Sequence, residues 1–320
     1  GDRSGRLAKK LLFGLLDSST LSFCRPLIEN SRGVIVHSEY ARQCVLSDDP
    51  AKPVRVIPMG VPMDEPAAPA EPLRRRYGLG ESDFLLASVS TLSYTKRLER
   101  VLAALSGLRK LFPQIKLLIV GGGSLETRAR RLIDKLGLGA AVIQTGWVSH
   151  EEYRGLIRLA DLVVDLRYPS GAETSASLTR AMAAGKPVIV SAQGAFLELP
   201  DHCCIKIPVD REEVERLTLG IAALIRDPER RLRMGEAARD YVLRRLSLEQ
   251  AARAYVECIA EVAASMAPVS GKRIRSSRIS AGSRVLTAGL YRVCRLLYLY
   301  RHYGLAHTLR RVREEWRGRE

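Results

Sequence analysis

Apolar segments of five to seven residues recur through the middle of the chain, and stretches with helical spacing separate them. They are FLLASVS (84–90), IKLLIVG (115–121), AVIQTGW (141–147), DLVVDLR (161–167), PVIVS (187–191) and a weaker CIKIP (204–208). Strands that are apolar on both faces and alternate with helices are typical of a parallel sheet covered on both sides. The pattern therefore predicts an α/β fold with a doubly wound parallel sheet.

In a doubly wound sheet, ligands bind beyond the carboxyl ends of the strands. The first loop at that edge, STLSYTKRLE (90–99), places Lys96 and Arg97 where a helix begins. A cation is unfavourable against the positive end of a helix dipole unless an anion lies between them. The loop predicts either a lysine that binds a phosphate or a solvated basic helix start, and the residues alone leave both open.

The second and third loops at this edge also have unusual compositions. GGGSLE (121–126) allows close approach to the backbone at Gly122 and Gly123, and a tight turn without a ligand explains the glycines almost as well. The loop is neither a G-x-G-x-x-G fingerprint nor a Walker loop. In TGWVSHEE (145–152), Trp147 either covers a nucleobase or fills core space.

The fourth loop opens the stretch YPSGAETSASLTRAMAAGKPVIVS (168–191), where small hydroxyl residues occupy a helix start. Small side chains leave the amides of Thr174, Ser175 and Ala176 uncovered, and amides at a helix N-terminus bind anions. Glu173 either hydrogen-bonds sugar hydroxyls or complements the helix dipole. The poor helix propensity of residues 174–177 favours the functional interpretation.

Other features exclude or disfavour several classes of protein. The cysteines show no metal-ligand spacing, which indicates reduced thiols in a cytoplasmic protein. No apolar stretch reaches the roughly 18 residues of a membrane span. No Asp-x-Asp pair is placed for a divalent ion, so we expect neither a metal nor another cofactor. The chain begins with Gly rather than Met, and we interpret it as the interior of a longer protein.

The formal net charge of +16 is concentrated at the C-terminus, because residues 271–320 contain thirteen Lys or Arg and only three Glu. Apolar residues share one helical face of this tail: Leu286, Leu290, Val293, Leu297 and Tyr300. A basic amphipathic helix suits an anionic membrane surface or packs on another domain. Nucleic acid is not an expected partner, because the body has no basic patch and the tail no recognisable module.

Taken together, these segments resemble the donor-binding half of a family 4, retaining glycosyltransferase of the GT-B fold. The resemblance covers about residues 30 to 262, and its most specific part runs from Pro169, Ser170 and Glu173 through AMAAGKPVIVS. Also similar are VIVHSEYAR, VIPMGV, the T-L-x-x-x-K segment ending at Lys96, LLIVGGG and TGWVS. The resemblance implies a Rossmann-like domain, the C-terminal half of a GT-B fold, with a helical C-terminal extension.

The resemblance also implies a nucleotide-sugar donor and the residues that hold it. Lys96 and the helix-start amides near Thr174 to Ala176 are expected to meet the diphosphate, and Glu173 the transferred sugar. Lys96 and Glu173 are therefore the catalytic candidates. The further donor-binding candidates are Ser90, Thr91, Arg97, Gly122, Gly123, Trp147, Val148, Thr174, Ser175, Ala176, Ser177 and Arg180.

The chain departs from the family pattern in three ways. Arg180 stands where the second carboxylate of an E-x7-E pair belongs, and its spacing to Glu173 is one residue short. Thr91 replaces the arginine that usually precedes the lysine, a role in which Arg97 compensates. The acceptor-binding domain is largely absent. We expect five parts: its remnant with the hinge (1–62), a linker (63–79), the donor domain (80–265), a second linker (266–283) and the basic helical tail (284–320).

The implied reaction transfers a sugar from a nucleoside diphosphate to an acceptor hydroxyl, with retention and without a metal, in cell-surface polysaccharide or glycolipid synthesis. Expected partners are the nucleotide-sugar, a saccharide or lipid-linked acceptor and, through the tail, an anionic membrane surface at the cytoplasmic side. Two alternatives stay open. One is a non-catalytic nucleotide-sugar-binding or scaffold domain completed by another chain, and the other is an epimerase of the same fold.

Overall fold

A computed structural model of the protein describes residues 27–63, 65–123 and 125–264, apart from the side chain of Tyr94. The first part of the expected acceptor-domain remnant, the linker 266–283 and the basic tail 284–320 lie outside the described residues.

Strands and helices mostly alternate through residues 34–226, and two further helices follow. The strands are β1 (Val34–Val36), β2 (Val54–Val56), β3 (Phe84–Val89), β4 (Ile115–Val120), β5 (Val142–Gly146), β6 (Leu162–Asp165), β7 (Val188–Ser191) and β8 (Cys204–Ile207). The helices are α1 (Glu39–Asp48), α2 (Ala70–Arg76), α3 (Leu98–Leu108), α4 (Glu126–Lys135), α5 (His150–Leu159), α6 (Ala176–Ala183), α7 (Glu213–Arg226), α8 (Pro228–Arg245) and α9 (Leu248–Ala264).

The large sheet consists of six parallel strands in the order β5-β4-β3-β6-β7-β8. The predicted fold class, a doubly wound α/β sheet, is confirmed. Strand β3 pairs with β4 on one side and with β6 on the other, so the strand order reverses between β3 and β6. The crevice beyond the carboxyl ends of these two strands is where such sheets bind ligands.

Both faces of the large sheet are buried, which explains the continuous apolar runs in the sequence. Along β3, Phe84 and Leu86 belong to the core beneath α3, α4 and α7. Leu85, Ala87 and Val89 belong to the opposite core, beneath α5, α6 and α8. Successive residues of a strand point to opposite faces, so a strand covered on both sides is apolar at most positions, and Ser88 and Asp165 are buried exceptions near the carboxyl ends of β3 and β6.

A smaller parallel sheet, β1 paired with β2, precedes the large one. Helix α9 follows α8 on the large sheet and then packs on this small sheet through Ala251 and Cys258, which contact Ile57. Close approach needs Gly60, because a Cβ there would lie 2.8 Å from the Leu248 Cα. Helix α9 therefore connects the small sheet to the helices that cover the large one.

The interpretation of residues 63–79 as a linker missed a helix. Helix α2 lies within this stretch, and its Leu73 is 4% exposed because it packs against α5. A Cβ at Gly155 of α5 would lie 2.6 Å from the Leu73 Cδ1 and 2.7 Å from the Ala68 carbonyl oxygen. A short helix with one buried leucine has almost no apolar periodicity, so the sequence pattern showed only the Pro and Ala around it.

Candidate functional site

Lys96 and Asp165 meet at the crevice between β3 and β6. Lys96 ends the 3₁₀ turn Tyr94–Lys96 after β3, and Asp165 is the last residue of β6. The Lys96 Nζ lies 3.5 Å from the Asp165 Oδ1, and the two side chains are 14% and 4% exposed. Burial lowers the pKa of Lys96, while the Asp165 carboxylate opposes that shift. Asp165 therefore favours the charged form of a lysine held at the sheet edge.

Arg167 is a second cation at this edge, two residues beyond β6. Its Nη1 donates to the Glu173 Oε1 at 2.7 Å, its Nη2 lies 3.7 Å from the Asp165 Oδ2, and its guanidinium lies 5.5 Å from the Phe196 ring centroid. The other oxygen of Glu173 accepts the Gly171 backbone N–H at 2.6 Å. Glu173, with a side chain 42% exposed, is thus held at the rim of the crevice by a buried arginine.

Helix α6 begins beside these charges. Ser175 is its N-cap, and the Ser175 hydroxyl accepts a helix amide while it also donates to the Asp165 carboxylate. The amides of Ala176 and Ser177 have no acceptor among the described residues. In the same part of the chain, the Thr174 Oγ1 is buried and has no hydrogen-bond partner. Asp165 therefore positions both the helix start and Lys96.

The structure places the Arg97 side chain against another element. Its guanidinium makes two hydrogen bonds to Glu213 of α7, one of them 2.7 Å long, and Glu213 is fully buried. The ring of Tyr168 lies 5.3 Å from the same guanidinium. Arg100 adds a second contact to Glu213 at 3.6 Å. Arg97 thus joins α3 to α7, and its predicted contact with a diphosphate stays a prediction.

The glycine loop after β4 packs on the loop after β3. A Cβ at Gly123 would lie 2.6 Å from the Leu92 carbonyl oxygen, so only glycine fits there. Trp147 is 75% exposed rather than part of the core, and its Nε1 lies 2.7 Å from where a Gly122 Cβ would be. The Glu126 carboxylate accepts the Gly123 N–H at 2.9 Å. The backbone N–H of Gly123, a predicted donor-binding residue, is thus already bound to a carboxylate.

The remaining predicted residues lie in different surroundings. Ser90 continues β3 through a 3.0 Å backbone bond to β4, Thr91 is exposed, and Val148 packs partly buried against the core. The Arg180 Nε lies 3.9 Å from the Glu65 Oε2, in the segment between β2 and α2. The assignments of these residues to a donor site stay predictions.

Sequence reasoning missed the charges that organise the crevice. Asp165 and Arg167 both stand in DLVVDLR, where their position at the end of a predicted strand was the available signal. Glu213 gave no signal, because a Glu near a helix start is ordinary. As assembled, the crevice holds an ammonium group near helix amides that have no acceptor in the part of the chain that the structure describes, an arrangement that can stabilise an anion.

Residues 27–63, 65–123 and 125–264 contain no group of three His, Cys, Asp or Glu side chains placed to hold a metal ion, and metal independence stays a prediction. Within the same ranges, no helix is long and apolar enough to cross a membrane.

A six-stranded parallel sheet with charged loops at its switch point defines a Rossmann-like α/β protein. Comparison with known families identifies the family within this class of fold. The family model described as glycosyl transferases group 1 matches residues 70–241, more than half of the chain. The chain belongs to this family. The predicted membership in a glycosyltransferase family is therefore confirmed.

This chain covers only part of the length of its curated relatives. A GDP-mannose-dependent alpha-(1-6)-phosphatidylinositol monomannoside mannosyltransferase of Mycobacterium tuberculosis is 33% identical over 202 residues, which is 60% of this chain and 52% of the relative. An alpha-monoglucosyldiacylglycerol synthase of Streptococcus pneumoniae is 29% identical over 173 residues, covering 52% and 38%. The chain spans about half the length, or less, of these relatives.

Solved structures agree on the fold. Anabaena HepE in complex with UDP-glucose superposes with a TM-score of 0.67 at 20% identity, over 76% of this chain and 68% of that one. Sucrose-phosphate synthase from Thermosynechococcus elongatus superposes with a TM-score of 0.65 at 25% identity, over 77% and 62%.

Proposed function

We propose that this chain is the donor-binding half of a retaining, metal-independent family 4 glycosyltransferase. It transfers a hexose from a nucleoside diphosphate to a saccharide or lipid-linked acceptor at the cytoplasmic face of a membrane. The observation that carries the proposal is the meeting of Lys96, Glu173 and the start of α6 at the switch point of the sheet. Membership in the family and the names of the relatives support it.

Each group has a role in this reaction. The diphosphate leaving group gains negative charge as the glycosidic bond breaks, so the Lys96 ammonium and the amides of Ala176 and Ser177 stabilise the transition state more than the ground state. Asp165 holds Lys96 in place and in its charged form. Glu173, fixed by Arg167, accepts hydrogen bonds from hydroxyls of the transferred sugar.

A second candidate is a nucleotide-sugar-binding domain without catalysis of its own. The observation in its favour is Arg180, which stands near the position of the family's second carboxylate and pairs with Glu65 rather than with the crevice charges. In this case the same crevice binds the donor, and another chain supplies the remaining groups.

The test is a titration of the full chain with UDP and GDP by calorimetry, followed by a donor-consumption assay with UDP-glucose and GDP-mannose in the presence of a lipid and saccharide extract. Lys96→Ala should weaken nucleotide binding about tenfold or more, the effect of losing one charge-assisted contact to phosphate. Glu173→Gln should leave nucleotide binding unchanged and reduce sugar transfer.

The matched control is Lys110→Ala, which removes an exposed lysine just beyond the far end of α3. It should change neither measurement. Absence of binding of both nucleotides overturns the proposal. Binding that depends on Lys96 without any transfer favours the non-catalytic candidate.

A further inference from the structure

A large cavity lies on the face of the sheet covered by α5, α6 and α8. Its volume is about 950 Å³, it is partly open to solvent, and its lining includes the residues from Val61 to Met63, Glu65 and the start of α9. None of the crevice residues Lys96, Asp165 or Glu173 lines it. It is therefore a separate site, of a size that accommodates a small ligand.

The walls of this cavity are unusually basic. Five cationic side chains from four segments line it, and only two carboxylates do. The cations are Arg154, Arg158, Arg180, Lys186 and Arg239, and the carboxylates are Glu65 and Glu249. Arg158 and Arg239 are exposed, whereas Arg154, Arg180 and Lys186 are half-buried. Like charges that share a pocket repel one another, and solvent screens the half-buried ones less than charges on a flat surface.

Glu65 neutralises only one side of the cavity. Its carboxylate lies 3.4 Å from the Arg154 Nη1 and 3.9 Å from the Arg180 Nε. Its backbone carbonyl accepts a hydrogen bond of 3.4 Å from Arg158. The three arginines of α5 and α6 thus have an acceptor in the segment between β2 and α2.

Lys186 and Arg239 form the other side. Neither has a carboxylate within 4.0 Å among the residues that the structure describes. The segments that carry them adjoin, because α8 packs directly on the turn before β7: a Cβ at Gly235 would lie 2.1 Å from the Gly185 carbonyl oxygen. The Arg239 Cδ lies 3.9 Å from where a Gly185 Cβ would be, which sets this side chain beside the turn that carries Lys186.

Lys186 is also partly withdrawn from water. Burial lowers the pKa of its ammonium, and the Asp161 carboxylate opposes the shift only as a more distant charge. A half-buried ammonium without a close partner carries a free-energy cost that a bound anion removes.

We infer that this cavity binds a phosphate-bearing ligand, with Lys186 and Arg239 as its anion-binding pair and the arginines around Glu65 as a second group of donors. Lysine and arginine are the side chains that bind phosphate by charge-assisted hydrogen bonds. The apolar part of the lining, which includes Ile157 and Leu243, contacts the uncharged part of the ligand. The ligand is a phosphate ester, either a free phosphorylated metabolite or the headgroup of an anionic lipid.

The inference does not rest on the proposed transferase activity, and the experiment separates the two. Inorganic phosphate is titrated into the full chain by calorimetry, with UDP or GDP present at saturation so that the crevice between β3 and β6 is occupied. If neither nucleotide binds, the titration is made without nucleotide. The double variant Lys186→Gln with Arg239→Gln should bind phosphate at least about tenfold more weakly than the unchanged protein.

The control is a double variant on the opposite face of the sheet, Arg130→Gln with Arg131→Gln, both exposed on α4. It removes the same charge and should leave phosphate affinity unchanged. A thermal melt of each variant without phosphate shows that it is folded, and phosphate should raise the melting temperature of the control but not of the cavity variant. Equal phosphate affinity in both double variants, or no phosphate binding by the unchanged protein, overturns the inference.

Vesicles then separate the two sources of the phosphate. Co-sedimentation with phosphatidic acid vesicles, compared with phosphatidylcholine vesicles, should fall in the cavity variant if a lipid headgroup is the ligand. Sedimentation that is equal in both double variants, together with the loss of free phosphate binding in the cavity variant, assigns the site to a soluble phosphate ester.

Discussion

The Lys96 ammonium lies 3.5 Å from the Asp165 carboxylate, across the crevice where the strand order of the large sheet reverses. Asp165 also approaches Arg167 at 3.7 Å and accepts the Ser175 hydroxyl. One buried carboxylate therefore fixes a lysine from the loop after β3, an arginine beyond β6 and the cap of α6. The charges of the crevice are held in position through this residue.

Asp165→Asn should destabilise the protein. The change leaves Lys96 and Arg167 without their shared counter-charge in a buried position, which costs about 3–5 kcal/mol when one partner of a buried ion pair is removed. Urea unfolding at pH 7 measures the change. Asp134→Asn, at an exposed position of α4, is the control and should stay within about 0.5 kcal/mol of the unchanged protein. Equal stabilities of the two variants would contradict the role given to Asp165.

Glu213→Gln should loosen the contact between α3 and α7. Glu213 is fully buried and pairs with both Arg97 and Arg100, so its removal leaves two cations facing a neutral amide. We expect a loss of about 3 kcal/mol or more in the free energy of unfolding. Glu212→Gln removes the neighbouring exposed carboxylate, which pairs with Arg216, and should cost less than about 1 kcal/mol. A loss of similar size in both variants would show that the buried pair is not special.

Gly235→Ala should disrupt the packing of α8. A Cβ at this position would lie 2.1 Å from the Gly185 carbonyl oxygen, so α8 must move away from the turn before β7, at a cost of about 1–3 kcal/mol. Gly107→Ala in α3 is the opposite case. Apart from the backbone of the helix itself, no described atom lies within 4 Å of the added Cβ. Alanine should therefore stabilise that helix by about 0.5–1 kcal/mol. Thermal melts that move in the same direction for both variants would refute the packing argument.

Stability above pH 9 should depend on Cys204. Burial raises the pKa of its thiol to about 11, whereas the pKa of an exposed thiol is about 8.5. Above the lower value the unfolded chain releases a proton that the folded protein keeps, so this contribution to folding is lost as pH rises towards about 11.

The measurement for Cys204 is the free energy of unfolding at pH 8 and pH 10.5 in the unchanged protein and in Cys204→Ala. The decrease between the two pH values should be smaller in the variant, by roughly 1–2 kcal/mol. The two decreases are compared, rather than the free energies of unfolding themselves, because the substitution also creates a small cavity that destabilises the variant at both pH values. Identical decreases would show that the thiol does not contribute.

Sequence periodicity predicted the strands of the large sheet well, because double burial leaves each strand with an uninterrupted apolar run. Phe84–Val89 and Ile115–Val120 match the predicted segments to within a residue. It also placed Lys96 and Glu173 at the correct edge, since all strands of a parallel sheet end on one side. The partners of these residues could not be predicted from the sequence. Lys96 and Asp165 are 69 positions apart, and only the pairing of β3 with β6 brings them together.

Helix α2 and the Arg97–Glu213 pair were missed for related reasons. Helix α2 is stabilised by Leu73 against α5, a contact that leaves no periodic signal in seven residues. From the sequence, Arg97 is a cation at a helix start. Nothing near it in the chain indicates that it pairs with Glu213, a fully buried carboxylate 116 positions later.

Local residue order, through apolar periodicity and small residues at loop exits, determined the fold class, the edge of the sheet at which the candidate residues lie and the family to which the chain belongs. The tertiary structure alone decided how the charges are arranged: Lys96 pairs with Asp165, Glu173 with Arg167 and Arg97 with Glu213, while Lys186 and Arg239 line one pocket. The physical reason is that burial depends mainly on neighbouring positions along a strand or helix, whereas electrostatic energy depends on distances in space between groups far apart in the chain.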